Sequence, residues 1–254
     1  MECSIEKPKV FAPKILIAIP TYEGKNYCLD AFLDNVQKID YPASRLRIVV
    51  ADNSMSNENA KYINKKYGIQ VLWRDYSGYT VFAKMADSHN ALRKFFLEET
   101  DCEYMLHLES DIFPPSNVLW ELLWCRKPVV NALYNIFDAS HRTPCIHLQD
   151  KKHEHWRSYS FAYGIENFWH WFIKGKLQPT YIAGIGCCLL HRKIMEKFNF
   201  RNNAAEPIPP DTWFAKDLQE AGVQNYVHTG VICFHHNREE WGRHFEYVQY
   251  LKSE

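Results

Sequence analysis

Tyr104 to Asp111, reading YMLHLESD, runs apolar and aromatic residues straight into two carboxylates separated by one small residue. As a strand it ends with Glu109 and Asp111 on the same side, because side chains alternate with period two. Ile112, Phe113, Pro114 and Pro115 follow at once. The stretch therefore predicts a carboxylate edge at the C-terminal end of a buried strand, where open α/β sheets place their ligands. Two converging oxygen donors suit a hard cation, Mg²⁺ or Mn²⁺, with substrate phosphates completing the shell. Taken alone the pair also reads as a solvated strand end, so the rest of the chain decides.

Upstream of it, strand and helix signals alternate. Ile15 to Ile19 is an isoleucine-rich run closed by Pro20, and Asn26 to Ile39 carries Cys28, Leu29, Phe32, Leu33 and Val36 at helical spacing. Leu46 to Ala51 is a second buried strand, ending in Asp52, Asn53 and Ser54. Asn57 to Tyr67 reads as a polar helix and Ile69 to Trp73 as a third strand. Met85, Leu92, Phe95 and Phe96 then give a helical face leading into the carboxylate-ended strand. This order predicts an α/β fold, a mostly parallel nucleotide-binding sheet flanked by helices and joined by right-handed crossovers. Pro20 to Glu23, Asp52 to Ser54 and Glu109 to Asp111 then meet at one edge. Gly24 stands alone after the first strand, so neither a dinucleotide fingerprint nor a P-loop is present. A metal on the acidic pair is the obvious alternative holder of phosphates. Asp52 is placed to accept a hydrogen bond from a base or ribose, or to cap a turn.

A chain of 254 residues with 46% hydrophobic content can bury one large core. We read a single domain over 1–254, with a nucleotide-binding half at about 14–115 and an acceptor-binding half at about 116–254 that carries an insertion near 135–181. Thirty basic and thirty acidic residues cancel, so no global field points to nucleic acid or membrane. Between His141 and Arg201, however, ten Lys or Arg face four Asp or Glu, which describes either an anion-facing surface or a solvated face. Eight scattered Cys without a CxxC pair argue against a zinc ribbon or a disulfide scaffold. A charged, Pro-interrupted N-terminus and the lack of roughly 18 consecutive apolar residues give the expectation of a cytoplasmic protein with no signal peptide and no membrane span.

ILIAIPTYEGKNYCLDAFLDNV (Ile15 to Val36) followed by LRIVVADNSMSN (Leu46 to Asn57) resembles the start of family 2 type glycosyltransferases with the GT-A fold. The resemblance implies a donor-binding loop at Pro20, Thr21, Tyr22 and Glu23, and a nucleobase contact at Asp52. Glu109-Ser110-Asp111 resembles the D-x-D metal motif with Glu in the first place, which implies donor contacts at Glu109 and Ser110 and a metal on Asp111 and Glu109. Gly184 to Glu196, GIGCCLLHRKIME, is similar to the acceptor-side glycine-rich strand, including Gly184 and Gly186. The segment from Pro210 through Asp211, Trp213 and Leu218 to Gly222 resembles the opening of the acceptor-site helix. His235 or His236 falls where a late metal-binding His is found in that group. Lys84, Asp87, Asn90 and Arg93 occupy a helix resembling the one over the diphosphate. The match covers most of residues 14–236; it departs in Glu109, in Pro210 where an acid often precedes the catalytic Asp, and in the missing glycine of the diphosphate helix.

The chemistry also follows from the residues. Glycosyl transfer from a nucleotide sugar, a UDP-sugar by this resemblance, needs leaving-group charge neutralised, which a divalent cation on Asp111, Glu109 and a late His can do. It needs an acceptor hydroxyl deprotonated, and Asp211 at a helix start suits a general base; it equally suits an N-cap. A His closing a strand is also an ordinary core or surface His. Between Asn135 and Tyr181, basic, His and aromatic residues interleave. Lys151 and Lys152 are placed to meet phosphates and Trp169 to stack on a planar acceptor, or the stretch is an insertion packed on the core. An anionic acceptor would be a modified DNA base, a polyprenyl phosphate or a phosphorylated glycan. The competing functions are a sugar-phosphate nucleotidyltransferase, for which the loop PTYEGKN is a poor fit, and a non-catalytic nucleic-acid or glycan binding module, which leaves Glu109, Asp111 and Asp211 without a task.

Overall fold

The computed structural model describes residues 12–138, 141–147 and 177–236. Strand β1 (Ile15–Thr21) leads through α1 (Leu29–Val36) to β2 (Leu46–Asp52), and α2 (Glu58–Tyr67) connects this to β3 (Gln70–Trp73). Helix α3 (Val81–Glu99) then carries the chain back to β4 (Tyr104–Leu108). The second half comprises β5 (Ile112–Phe113), α4 (Val118–Trp124), β6 (Val129–Leu133), β7 (Asn135–Asp138), β8 (His141–Pro144) and β9 (Ile146–His147). It continues with β10 (Leu177–Thr180), β11 (Ile182–Ala183), β12 (Cys187–His191), α5 (Arg192–Lys197), α6 (Pro210–Glu220), β13 (Asn225–Ile232) and β14 (Phe234–His235).

One eight-stranded sheet runs through both halves in the order β10-β13-β6-β12-β4-β1-β2-β3. β3, β2, β1 and β4 are mutually parallel; β12 runs antiparallel between β4 and β6, and β10 antiparallel to β13 at the far edge. The chain steps outward from β1 to β3 and then returns beyond β1 to β4. The strand order therefore reverses between β1 and β4, the switch point at which α/β sheets open a crevice beyond their C-terminal ends.

Central strands are buried on both faces, as expected of a parallel sheet. Ile15, Ile17 and Ile19 of β1 pack with Phe32, Leu33, Ile63 and Leu119, whereas Leu16 and Ala18 pack with Phe96, Met195 and Phe214. Helices α1, α2 and α4 thus cover one face and α3, α5 and α6 the other. Burying Phe96, Phe200 or Phe214 contributes about 1.5–3 kcal/mol each.

Local rules set the element ends. Thr80 caps α3 by accepting from Ala83 N at 3.3 Å. Gly68 stops α2 in the left-handed conformation at φ 66°, and Pro210 opens α6 at the first helical position. The helix expected over Asn26 to Ile39 is shorter, because Glu23–Lys25 forms a 3-10 turn that delays its start to Leu29. β1 runs past Pro20 to Thr21, beyond the last residue that pairs with β4. No helix among the described residues is long and apolar enough to cross a membrane.

Candidate active site

The carboxylates sit on a turn rather than on an extended strand. β4 ends at Leu108, Ile112 N donates to Glu109 O at 3.0 Å, and β5 then pairs with β14. Three polar groups of this turn are held by other elements. Glu109 N donates to Gly186 O at 2.8 Å. Thr21 Oγ1 at the end of β1 donates to Ser110 Oγ at 3.0 Å, and His236 N donates to Asp111 O at 2.8 Å.

Asp111 is almost wholly buried, and its Oδ2 meets two side-chain nitrogens. Lys25 Nζ forms an ion pair with it, and His235 Nε2 lies 3.2 Å away. Its Oδ1 is buried with no hydrogen-bond partner. Burial pushes the carboxyl up, but His235 and Lys25 outweigh that and hold it below the usual range. Burial likewise opposes charge on His235, and Asp111 reverses the balance, raising the imidazole. His235 Nδ1 lies 2.8 Å from Asn135 O; a proton there fixes the tautomer and aims Nε2 at Asp111. The neighbouring His236 ring instead packs on Phe113, centroids 4.0 Å apart, and its carbonyl accepts from Tyr27 OH at 2.6 Å.

Glu109 keeps partial access to solvent. Burial, then the charges of Asp111 and Asp211, push it up to about 7. Asp211, in the first turn of α6, accepts from Thr212 N at 2.8 Å and is raised chiefly by burial. The charges of Glu109 and Asp211 both act on the Tyr134 phenol and the Cys145 thiol, each of which burial raises first. Glu109, Asp211, Tyr134 and Cys145 therefore lie within electrostatic reach of one another near the end of β4.

Gly184 and Gly186 form the wall there. Gly184 N donates to Cys145 O at 3.0 Å and Gly186 N to Tyr134 OH at 3.1 Å. A Cβ on Gly186 would lie 2.7 Å from Tyr134 Cζ, and one on Gly184 would collide with Tyr134 OH and Cys145 Sγ. Only glycine permits this approach. Behind the wall, buried His107 on β4 bridges Ile185 O and His89 Nδ1, each at 2.8 Å. Burial holds both imidazoles below their usual value, His107 at about 4.

The end of β2 lies two strands from β4, on the far side of β1. Asp52 Oδ1 accepts from Ser54 N at 3.0 Å and Ser54 Oγ at 2.5 Å, which is the turn cap the sequence left open. Its Oδ2 is buried without a hydrogen-bond partner, and burial raises its pKa. Tyr22 is exposed, and Glu23 Oε2 accepts from Met55 N at 3.3 Å.

Three sequence candidates lie elsewhere. Asn90 exchanges hydrogen bonds with the backbone of Phe200 at 2.6 and 3.0 Å, and Arg93 donates to Met195 O and Phe198 O at 2.6 and 2.7 Å. Both side chains fasten the segment after α5 to α3 instead of facing the crevice. Trp213 is buried, with the Arg201 guanidinium 3.7 Å from its ring centroid. Lys151, Lys152 and Trp169 lie outside the described residues. Sequence reasoning missed Lys25, Tyr134 and Cys145. Lys25 had one signal, as the single basic residue of PTYEGKN.

Among the described residues no group of three or more His, Cys, Asp or Glu has the geometry of a metal site. What the crevice offers is Asp111, with one bare buried oxygen, and His235 beside it. That fits a divalent cation bound through one or two protein ligands and completed by substrate phosphates.

No protein-family model matches the chain, and no curated protein matches it in sequence. Its fold is similar to the mannosyltransferase PcManGT from Pyrobaculum calidifontis, solved with GDP-Man and Mn²⁺. The TM-score is 0.56 at 14% identity, over 89% of this chain and 57% of that one. It is also similar to residues 1–349 of TarS from S. aureus, solved with UDP-GlcNAc, with a TM-score of 0.54 at 12% identity over 89% of this chain and 59% of that one. The chain thus spans under two thirds of the length of these neighbours. At such identities the likeness is one of fold, and the fold is the GT-A glycosyltransferase type.

Proposed function

We propose that the protein is a metal-dependent glycosyltransferase that moves a sugar from a nucleotide-sugar donor, a UDP-sugar in the first instance, to an acceptor hydroxyl. The observation that carries this reading is the bare, buried Oδ1 of Asp111 at the switch point of the sheet, with His235 Nε2 beside the same carboxylate. Such an atom costs free energy unless something occupies the site. Asp111 and His235 would hold Mn²⁺ or Mg²⁺, and Thr21, Tyr22, Glu23 and Asp52 would face the nucleoside. When bound, the cation neutralises charge developing on the departing diphosphate.

The chain's own residues do the rest. Asp211, raised above the usual carboxylate range by burial, accepts the proton of the attacking hydroxyl. Glu109, pushed up to about 7 by burial and by the charges of Asp111 and Asp211, would exchange a proton readily near neutral pH and, in its protonated form, could donate a hydrogen bond to a sugar oxygen. Gly184, Gly186 and Tyr134 form a rigid wall for the acceptor. We extend the proposal to an anionic acceptor, a modified DNA base, polyprenyl phosphate or phosphorylated glycan, met by the basic residues around Lys151 and Lys152.

The test is a panel of nucleotide sugars incubated with the protein and Mn²⁺, with products resolved by chromatography. Slow release of a nucleoside diphosphate and free sugar from one donor is the expected result. Pyrophosphate chemistry on a sugar phosphate would identify a nucleotidyltransferase instead, and an inert protein would leave only a binding role.

A further inference from the structure

The most unusual feature of the crevice is the lysine within it. Lys25 ends the 3-10 turn that follows β1, its N–H donating to Tyr22 O at 2.9 Å. From there its side chain turns inward, 26% exposed, onto a carboxylate that is 1% exposed. Its ammonium also feels Glu109. Lys25 and His235 crowd the same oxygen, Oδ2, while Oδ1 stays bare. An ordinary buried ion pair has its remaining lone pairs satisfied by hydrogen bonds; this one does not.

We propose that Lys25 is an exchangeable occupant of the cation position: it neutralises Asp111 when no divalent cation is present, and moves onto the diphosphate of a bound nucleotide when the cation takes Asp111. This rests on the nucleotide-sugar reading of the crevice. An ammonium on Oδ2 and a divalent cation on Oδ1 of one carboxylate would still repel each other strongly inside a protein, so the two do not occupy Asp111 together. Displacement needs little rearrangement, because the backbone of Lys25 is fixed by the turn while its unbranched four-carbon stem is free to swing. The incoming diphosphate supplies a new anionic partner beside Asp111. The loop needs no glycine-rich cradle, since its one basic residue carries the phosphate contact. The exchange also keeps the buried carboxylate neutralised at every stage, which a bare acidic edge would not be.

Lys25→Met keeps the stem and removes the charge. With the internal competitor gone, Mn²⁺ measured alone by electron paramagnetic resonance binds about tenfold more tightly than to wild type. At saturating Mn²⁺ the same variant binds UDP or GDP about tenfold more weakly, having lost one charge-assisted phosphate contact. Wild-type protein provides a second readout should the variant fold poorly: reductive methylation of Lys25, followed by peptide mass spectrometry, speeds up severalfold on adding Mn²⁺ and slows again when UDP joins. Unchanged Mn²⁺ affinity in the variant, or a labelling rate indifferent to both probes while Mn²⁺ and UDP do bind, overturns the exchange and leaves the donor site standing. A protein that binds neither Mn²⁺ nor UDP or GDP overturns both.

Discussion

Asp111→Asn lowers turnover of a nucleotide-sugar donor by about 10³-fold or more, the loss expected when roughly 4 kcal/mol of charge stabilisation at the leaving group disappears. The amide matches the carboxylate in size, so packing around a side chain that is 1% exposed is preserved. The backbone bond from His236 N to Asp111 O does not depend on the side chain either. What is lost is the charge that faces Lys25 and His235 and that would hold the proposed cation. Circular dichroism and thermal melting should show a folded variant, with activity assayed at several Mn²⁺ concentrations. Retained activity in a folded Asp111→Asn protein would remove Asp111 from the metal role.

The second large effect falls on α6. Asp211→Asn cuts turnover by roughly 10² to 10⁴ while nucleotide affinity stays within about twofold, the pattern of a lost proton acceptor. The separation follows from the topology. In the proposed arrangement donor contacts fall at the ends of β1, β2 and β4, whereas Asp211 stands on α6, where its charge acts on Glu109, Tyr134 and Cys145. An Asn still accepts from Thr212 N through its carbonyl oxygen, so the helix start survives. Steady-state kinetics beside calorimetric UDP titration distinguish the roles: if nucleotide binding collapses with turnover, Asp211 is a donor ligand or a structural cap.

The first half of the sheet was legible because burial wrote itself into composition. Ile15 to Ile19 is apolar on both faces and Leu46 to Ala51 is apolar except at exposed Arg47, and both are strands. Cys28, Leu29, Phe32, Leu33 and Val36 are all buried as their spacing predicts, although the helix begins later than expected. Periodicity records which residues face the core and is blind to a polar 3-10 turn. The carboxylate edge was legible in position but not in shape, since alternation cannot tell a strand end from a turn. Lys25 was missed because its partner is 86 residues away and is reached only once β1 and β4 are paired. His107 read as part of an apolar run; its bond to His89 depends on the phase of α3 against the sheet. Asn90 and Arg93 sit on a helix as expected, but the direction of their side chains is set by the segment after α5. Tyr134 and Cys145 gain meaning only beside Gly184 and Gly186, a juxtaposition fixed by β12 lying antiparallel between β4 and β6.

The most direct test of the account is whether a nucleotide binds this crevice through a cation. Isothermal calorimetry of UDP and GDP into wild-type protein, once with Mn²⁺ and once with chelator, measures that without an acceptor. One site per chain is expected for at least one of the two nucleotides, present with Mn²⁺ and weakened by about tenfold or more under chelation. Binding of equal strength in chelator, or none of either nucleotide with Mn²⁺ present, would contradict it.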